Sequence, residues 1–316
     1  MIKLLRYWNQ NKRKILITVA VIALVIIIIQ MANNMIKMQN VNNKNEQIKN
    51  TAVIEDITKP NQSVVTEQKL TEKETKENSE FIEQFINYCN QKQISEAYSL
   101  LGEECKEELY PTQEVFNSNY IAQIFENQVN FELDLWHIDS NCYTYRVTYH
   151  KGNLLQTGGK VSNGNFVDYI TLIKQNGEYK LNINKLIRKE TLNKQASNSG
   201  VDITLNSKTI YMDYEIYNIT AQNNTTKTIL LNGGNASDIK LTDQDNINFY
   251  SVISETPLSS LELNAQYKKT FHIKFNKSYI TDSKLQEMQI TNIYLDKTQY
   301  DNKQENAEKT TISIKL

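Results

Sequence analysis

The 316-residue chain is poor in the residues that usually carry catalysis or hold metals, with only three Cys, three His and nine Gly. Cys89, Cys105 and Cys142 are odd in number and no two are close in sequence, so they suggest neither a disulfide scaffold nor a CxxC metal site. One bridge among the three stays open, and the spacing does not choose the pair. Gly158-Gly159-Lys160 lacks the first Gly, the spacing and the following Ser or Thr of a phosphate loop. Asp243-x-Asp245, with Asn246 and Asn248, lacks the Gly and the bidentate Glu of a calcium loop and reads as a hairpin turn. No cofactor and no metal is expected.

Charge is missing where it matters most. Between Lys14 and Lys37 no residue is charged, and Ile15 to Ile29 is apolar apart from Thr18. At about 1.5 Å per residue this stretch reaches the roughly 30 Å of a bilayer core. It is too long for the core of a secretory signal, and Ile-Gln-Met-Ala-Asn-Asn after it is a poor cleavage site. The expectation is a single transmembrane helix over 15–33. Lys3, Arg6, Lys12, Arg13 and Lys14 precede it without an acid, which keeps the 1–14 tail cytoplasmic and puts the C-terminus outside the cell membrane. Tyr7 and Trp8, with Lys12, Arg13 and Lys14, form the expected membrane-anchor flank at the inner headgroups.

Setting those five tail cations apart from the 35 Lys and Arg leaves 30 against 36 acids, a net charge near minus six for the remainder. Such a surface repels phosphate backbones, so nucleic acid is not an expected partner. Residues 34–78 have no aromatic and no Gly, with a single Pro at 60, and read as a stalk. The bias toward Asn, Ile, Lys and Tyr fits a low-GC, Gram-positive genome.

From Ser79, read as an N-cap, the period becomes helical. "SEFIEQFINYCNQ" places Phe81, Ile82, Phe85, Ile86 and Cys89 on one face; "ISEAYSLLG" and "TQEVFNSNYIAQIFE" follow as two more helices. The period then changes to two, in "YRVTYH" and in "YKLNIN", the latter following a strand and the hairpin signal Asn176-Gly177. Helices and then an antiparallel meander imply an α+β domain over 79–190. Beyond Gly200, "VDITL", "YEIYNITA", "IKLTD", "FHIKF", "MQITNIYL" and "ISIKL" alternate with turn clusters, which suggests an all-β sandwich over 200–316.

The element "ISEAYSLLGEECKEELYP" followed by "EVFNSNYIAQIF" resembles the cystatin-like cone of the nuclear transport factor two superfamily. Anchor, stalk and outer cone together resemble the bitopic assembly subunits of type IV secretion and conjugation systems. The second unit is similar in pattern to the immunoglobulin-like modules of Gram-positive surface proteins. The expected fold is therefore an α+β cystatin-like cone followed by an all-β immunoglobulin-like sandwich, with an N-terminal transmembrane helix.

Cone enzymes place Asp, His or Arg inside. That resemblance makes His137 and His150 the candidates for acid and base, with Asp134, Asp139 or Asp168 as partner and Cys142 as an alternative nucleophile. Nothing in the sequence brings them within hydrogen-bond reach of one another, and no enzyme activity is expected. Tyr98, Tyr110, Phe116, Tyr120, Phe125 and Trp136 either fill the core or line a ligand-accepting cone pocket. Two functions follow. One is a membrane-anchored extracytoplasmic scaffold whose partners are other envelope proteins or copies of itself, as in a conjugation or secretion apparatus. The other is a surface-tethered cone that binds a small ligand or acts as a hydrolase or isomerase.

Overall fold

The computed structural model describes residues 61–316, apart from 67, 140, 152–164, 176, 257–260 and 282. The stretch 15–33, its flank Tyr7, Trp8, Lys12, Arg13 and Lys14, and Gly158-Gly159-Lys160 lie outside the described residues.

The first helix, α1, runs Glu72–Asn90 and starts seven residues before the expected Ser79 cap. Thr71 caps it: its hydroxyl accepts from the Glu74 amide at 3.2 Å, and the Glu74 carboxylate accepts from the Thr71 amide at 2.9 Å. This reciprocal box satisfies two amides that a helix start leaves unpaired. Asn78, Ile82, Phe85, Ile86 and Cys89 form the buried face. Thr71→Ala is expected to cost about 1 kcal/mol, read as a lower urea midpoint at unchanged slope. An unchanged midpoint would mean that the first turn contributes nothing.

Residues just before the helix, which composition assigns to the stalk, are also tied down. The Val64 and Val65 amides donate to the Leu135 and Trp136 carbonyls at 3.0 and 3.1 Å. Short helices follow: α2 (Ile94–Ser99), α3 (Glu103–Glu108), α4 (Gln113–Phe116) and α5 (Ala122–Ile124), the last two joined by a π turn over Asn117–Ile121. The π turn keeps Phe116, Tyr120, Ile121 and Ile124 all directed inward.

Three antiparallel sheets hold more of the described chain than its helices do. The first is a meander of β1 (Val129–Asp139), β2 (Cys142–Lys151), β3 (Phe166–Gln175) and β4 (Glu178–Asn182). Its β3–β4 hairpin closes with Gln175 opposite Glu178, and Gly177 takes the positive φ of +86° that the turn needs. The second sheet has the order β12-β7-β6-β5, from β5 (Leu186–Asn198), β6 (Val201–Tyr211), β7 (Glu215–Asn223) and β12 (Lys268–Phe275).

The third sheet runs β10-β9-β13-β8-β11, with β14 paired to β13. Its strands are β8 (Ile229–Leu230), β9 (Ile239–Asp243), β10 (Asn248–Tyr250), β11 (Glu262–Leu263), β13 (Leu285–Tyr294) and β14 (Lys309–Lys315), with a short helix α6 (Lys297–Asp301) after β13. Alternate residues of the second and third sheets meet in one core, in which Ile203, Leu205, Ile219 and Phe271 lie with Leu241, Met288, Ile290 and Ile312. This half of the chain is β-sandwich-like.

The expected fold class is thereby corrected. In place of an α+β cystatin-like cone followed by an all-β immunoglobulin-like sandwich, the described residues form 14 strands in three antiparallel sheets with fewer helical residues, and the expected N-terminal transmembrane helix lies outside the described residues. The helical period over 79–125 suggests a helix-rich unit, but four of the five helices there are at most six residues long, whereas the strands that follow run to 13 residues. Among the described residues no helix is long and apolar enough to cross a membrane.

The two cores share strands β5 and β6; β6 places Ile203 and Leu205 in the second core and Tyr211 in the first. Leu186 at the start of β5 is buried in the first core, and Leu192 and Ala196 further along pack on the second. A third, small cluster of Ile187, Ile210 and Met212, with Trp136, Tyr169 and Tyr279 against it, lies at the junction.

Candidate functional site

The first core is filled by its own aromatic residues. Tyr110, Phe116, Tyr120 and Phe125 are buried, and the Tyr110, Tyr120 and Phe125 rings stand 5.4 to 6.0 Å from their nearest neighbours in the group. Tyr98 is half-buried at the edge; its hydroxyl donates to the Tyr110 carbonyl at 2.9 Å and Lys106 lies 5.3 Å over its ring. Trp136 does not join them. It follows inward-facing Leu135 and so takes the opposite face of β1, against Tyr169 at 5.7 Å and the Arg146 guanidinium at 4.9 Å, and the β1–β2 register then shifts between Leu135 and His137. What remains at the edge of the core is a recess of about 260 Å³ beside Tyr120, Ile124, Phe166 and Asn184.

One carboxylate lies deep in this core. Asp168 accepts four hydrogen bonds: from the Tyr169 and Lys185 amides on Oδ1, at 2.7 and 3.1 Å, and from the Tyr120 hydroxyl and the Asn184 amide on Oδ2, at 2.9 and 3.1 Å. Burial pushes its pKa up to about 6, against the pull of those donors. Asn184 and Lys185 both have positive φ, 56° and 66°, in the tight turn between β4 and β5. Asp168 therefore pins a strained turn with two of its four bonds and holds Tyr120 and the Tyr169 amide with the others.

The other candidates for acid and base chemistry are dispersed. Asp134 holds Arg146 at 2.7 Å. His150 stands near the far end of the β1–β2 ladder from His137, with Nδ1 3.1 Å from Asn165 Oδ1. Cys89, Cys105 and Cys142 are all buried free thiols; burial raises each, Cys105 to about 12. A thiol so raised stays protonated and unreactive at neutral pH. Asp243 forms a turn, its Oδ1 accepting from the Asp245 and Ile247 amides at 3.0 and 2.8 Å. Among the described residues no three His, Cys, Asp or Glu are grouped as metal ligands.

Titratable groups do converge at the junction, in a cleft of about 720 Å³. Because of the β1 bulge, His137 and Asp139 reach it; β5 supplies Arg188, β6 Lys208, β7 Glu215, and the segment after β12 supplies Lys277, Tyr279 and Lys284. Arg188 bridges Asp139 at 2.6 Å and Glu190 at 2.7 Å, and Lys208 meets Glu190 at 3.0 Å. Burial works against the charge on Arg188, but the bonds to Glu190 and Asp139 prevail and hold its pKa above the usual value. Lys277 and Glu215 pair at 3.0 Å with side chains only 7% and 3% exposed, and the Tyr217 hydroxyl donates to Glu215 at 3.0 Å.

The His137 ring lies 4.6 Å from Tyr279, and burial lowers its pKa, which keeps it neutral at pH 7. Among the described residues, buried His137 Nδ1 and Ser283 Oγ have no hydrogen-bond partner. The cleft thus offers fixed charges beside apolar Ile138 and Ile280, while the two unpaired polar atoms are buried behind its wall. Its acids are bound to its own cations, an arrangement suited to recognition. None of this is visible in sequence, because the contributing residues are spread from His137 to Lys284.

No family model matches the chain, and no curated protein matches it. A 2.2 Å crystal structure of a conserved hypothetical protein from Bacillus anthracis is similar over 32% of this chain and 88% of that one, at 13% identity and a TM-score of 0.24, a likeness too slight to carry fold or function.

Proposed function

We propose that the chain is an interaction protein, a scaffold held at a membrane by the uncharged stretch between Lys14 and Lys37, with its folded part outside and docked to other envelope proteins or to copies of itself. A conjugation or secretion apparatus is the setting, and the β-sandwich-like half acts as an immunoglobulin-like binding module. The observation that carries this reading is the filled first core: its aromatic residues pack on one another, and its buried carboxylate is saturated by four donors. An enzyme or small-ligand pocket needs convergent polar groups around an open volume, usually about 300 Å³ or more. The recess beside Tyr120 falls below that, and in the larger junction cleft the acids are already held by the chain's own cations. Exposed Phe166, Val167, Ile247 and Tyr250 add apolar area of the kind that partners cover.

Capture of the full-length chain from membranes in mild detergent is expected to recover a stoichiometric partner or a homo-oligomer; monomer alone would overturn the reading. Protease added to intact cells is expected to digest the C-terminal portion. Full protection, or a chain found in the soluble fraction, would overturn the placement.

A further inference from the structure

The junction cleft does not end at its own rim. A second cavity of about 430 Å³ shares Lys208, Glu215, Lys277, Ser283 and Lys284 with it and runs on past Glu190 and Leu192 to Leu316, so the two form one elongated groove along the sandwich edge. Among the described lining residues, Asp139, Glu190 and Glu215 are acidic, while Arg188, Lys208, Lys277 and Lys284 are basic. Three of those cations hold the three acids in the pairs described above. Lys284 is exposed and makes no ion pair with a described residue. Among the described lining residues cations exceed acids by one, on a chain whose portion beyond the basic tail is acidic. Its wall also carries apolar Ile138 and exposed Ile280.

We propose that this groove binds an extended polypeptide segment with acidic side chains, supplied by another protein. A long, half-open trough suits an extended chain, whose acidic side chains can face Lys284 while alternate apolar ones face Ile138 and Ile280. The proposal rests on the interaction-protein reading and names the chemistry of the partner.

The test uses the full-length chain in mild detergent and a short fluorescent peptide that alternates Glu and Leu, with a Lys-for-Glu peptide as control. Anisotropy is expected to show binding of the Glu peptide that weakens with salt, and at least about tenfold weaker binding of the control. Lys284→Glu, at an exposed position, is expected to weaken the Glu peptide about tenfold, and Thr281→Lys, which adds a cation to the rim, to tighten it about threefold. Equal binding of the two peptides, or Lys284→Glu binding like wild type, would overturn the proposal. Complete displacement by glutarate would make the ligand a small organic anion, and loss of a homodimer in Lys284→Glu without any peptide binding would make the occupant a second copy; either result overturns it. If membrane capture still recovers a partner while the peptide assays fail, the interaction reading stands and this site falls.

Discussion

Asp168→Asn is expected to lower the unfolding free energy by about 2–4 kcal/mol at pH 8, because buried donors lose charged acceptors. The asparagine keeps the shape, but its amide must displace the acceptor at Oδ1 or at Oδ2. The Oδ2 side is the cheaper choice. There the Tyr120 hydroxyl can turn to Tyr149, 3.2 Å away, and only the Asn184 amide is left unpaired. The pH dependence gives a second readout. Burial holds the folded-state pKa at about 6, above the ordinary 3.8, so the folded protein takes up this proton first as pH falls. The group's stabilising contribution is complete below the unfolded value and is lost as pH rises through about 6, by roughly 3 kcal/mol in all. Asparagine cannot follow that change. The gap between wild type and Asp168→Asn in urea unfolding should therefore widen from pH 7 to pH 4.5. A gap that narrows would mean that the four donors outweigh burial.

The Glu215–Lys277 pair should give a loss of similar size and opposite logic. Lys277→Met leaves a buried carboxylate with Tyr217 as its remaining partner, at an expected cost of about 3–5 kcal/mol. Replacing both partners, as in Glu215→Leu with Lys277→Met, removes the uncompensated charge and should recover most of that loss. A double-mutant cycle by urea unfolding measures the coupling. If the double variant is no more stable than Lys277→Met, the pair is not the source of the loss. The pair also matters for the groove, because Lys277 fixes the segment that carries Tyr279, Ser283 and Lys284 to β7.

Much of the secondary structure was legible residue by residue. "FHIKF" and "ISIKL" alternate because one face of each strand enters the second core, and they lie in β12 and at the end of β14. Asn176-Gly177 marks the β3–β4 hairpin because a two-residue turn needs positive φ. The start of α1 was missed although its signal, Thr71-x-x-Glu74, stands in the sequence; the apolar face begins later and drew the boundary to Ser79. Trp136 lies apart from the other five aromatics because it follows buried Leu135 on the strand and takes the opposite face, which a grouping by residue type does not distinguish. The strand order β10-β9-β13-β8-β11, and with it the groove, depends on pairings between strands far apart in the chain, which local patterning does not encode.

β5 begins inside one core and ends on the other without interruption by a linker. A load applied at the sandwich would be carried by that shared strand straight into the helical half, where the Asp168-pinned turn anchors its root. The two halves therefore meet through continuous backbone hydrogen-bonded within a sheet, and no linker separates β4 from β5 beyond that turn.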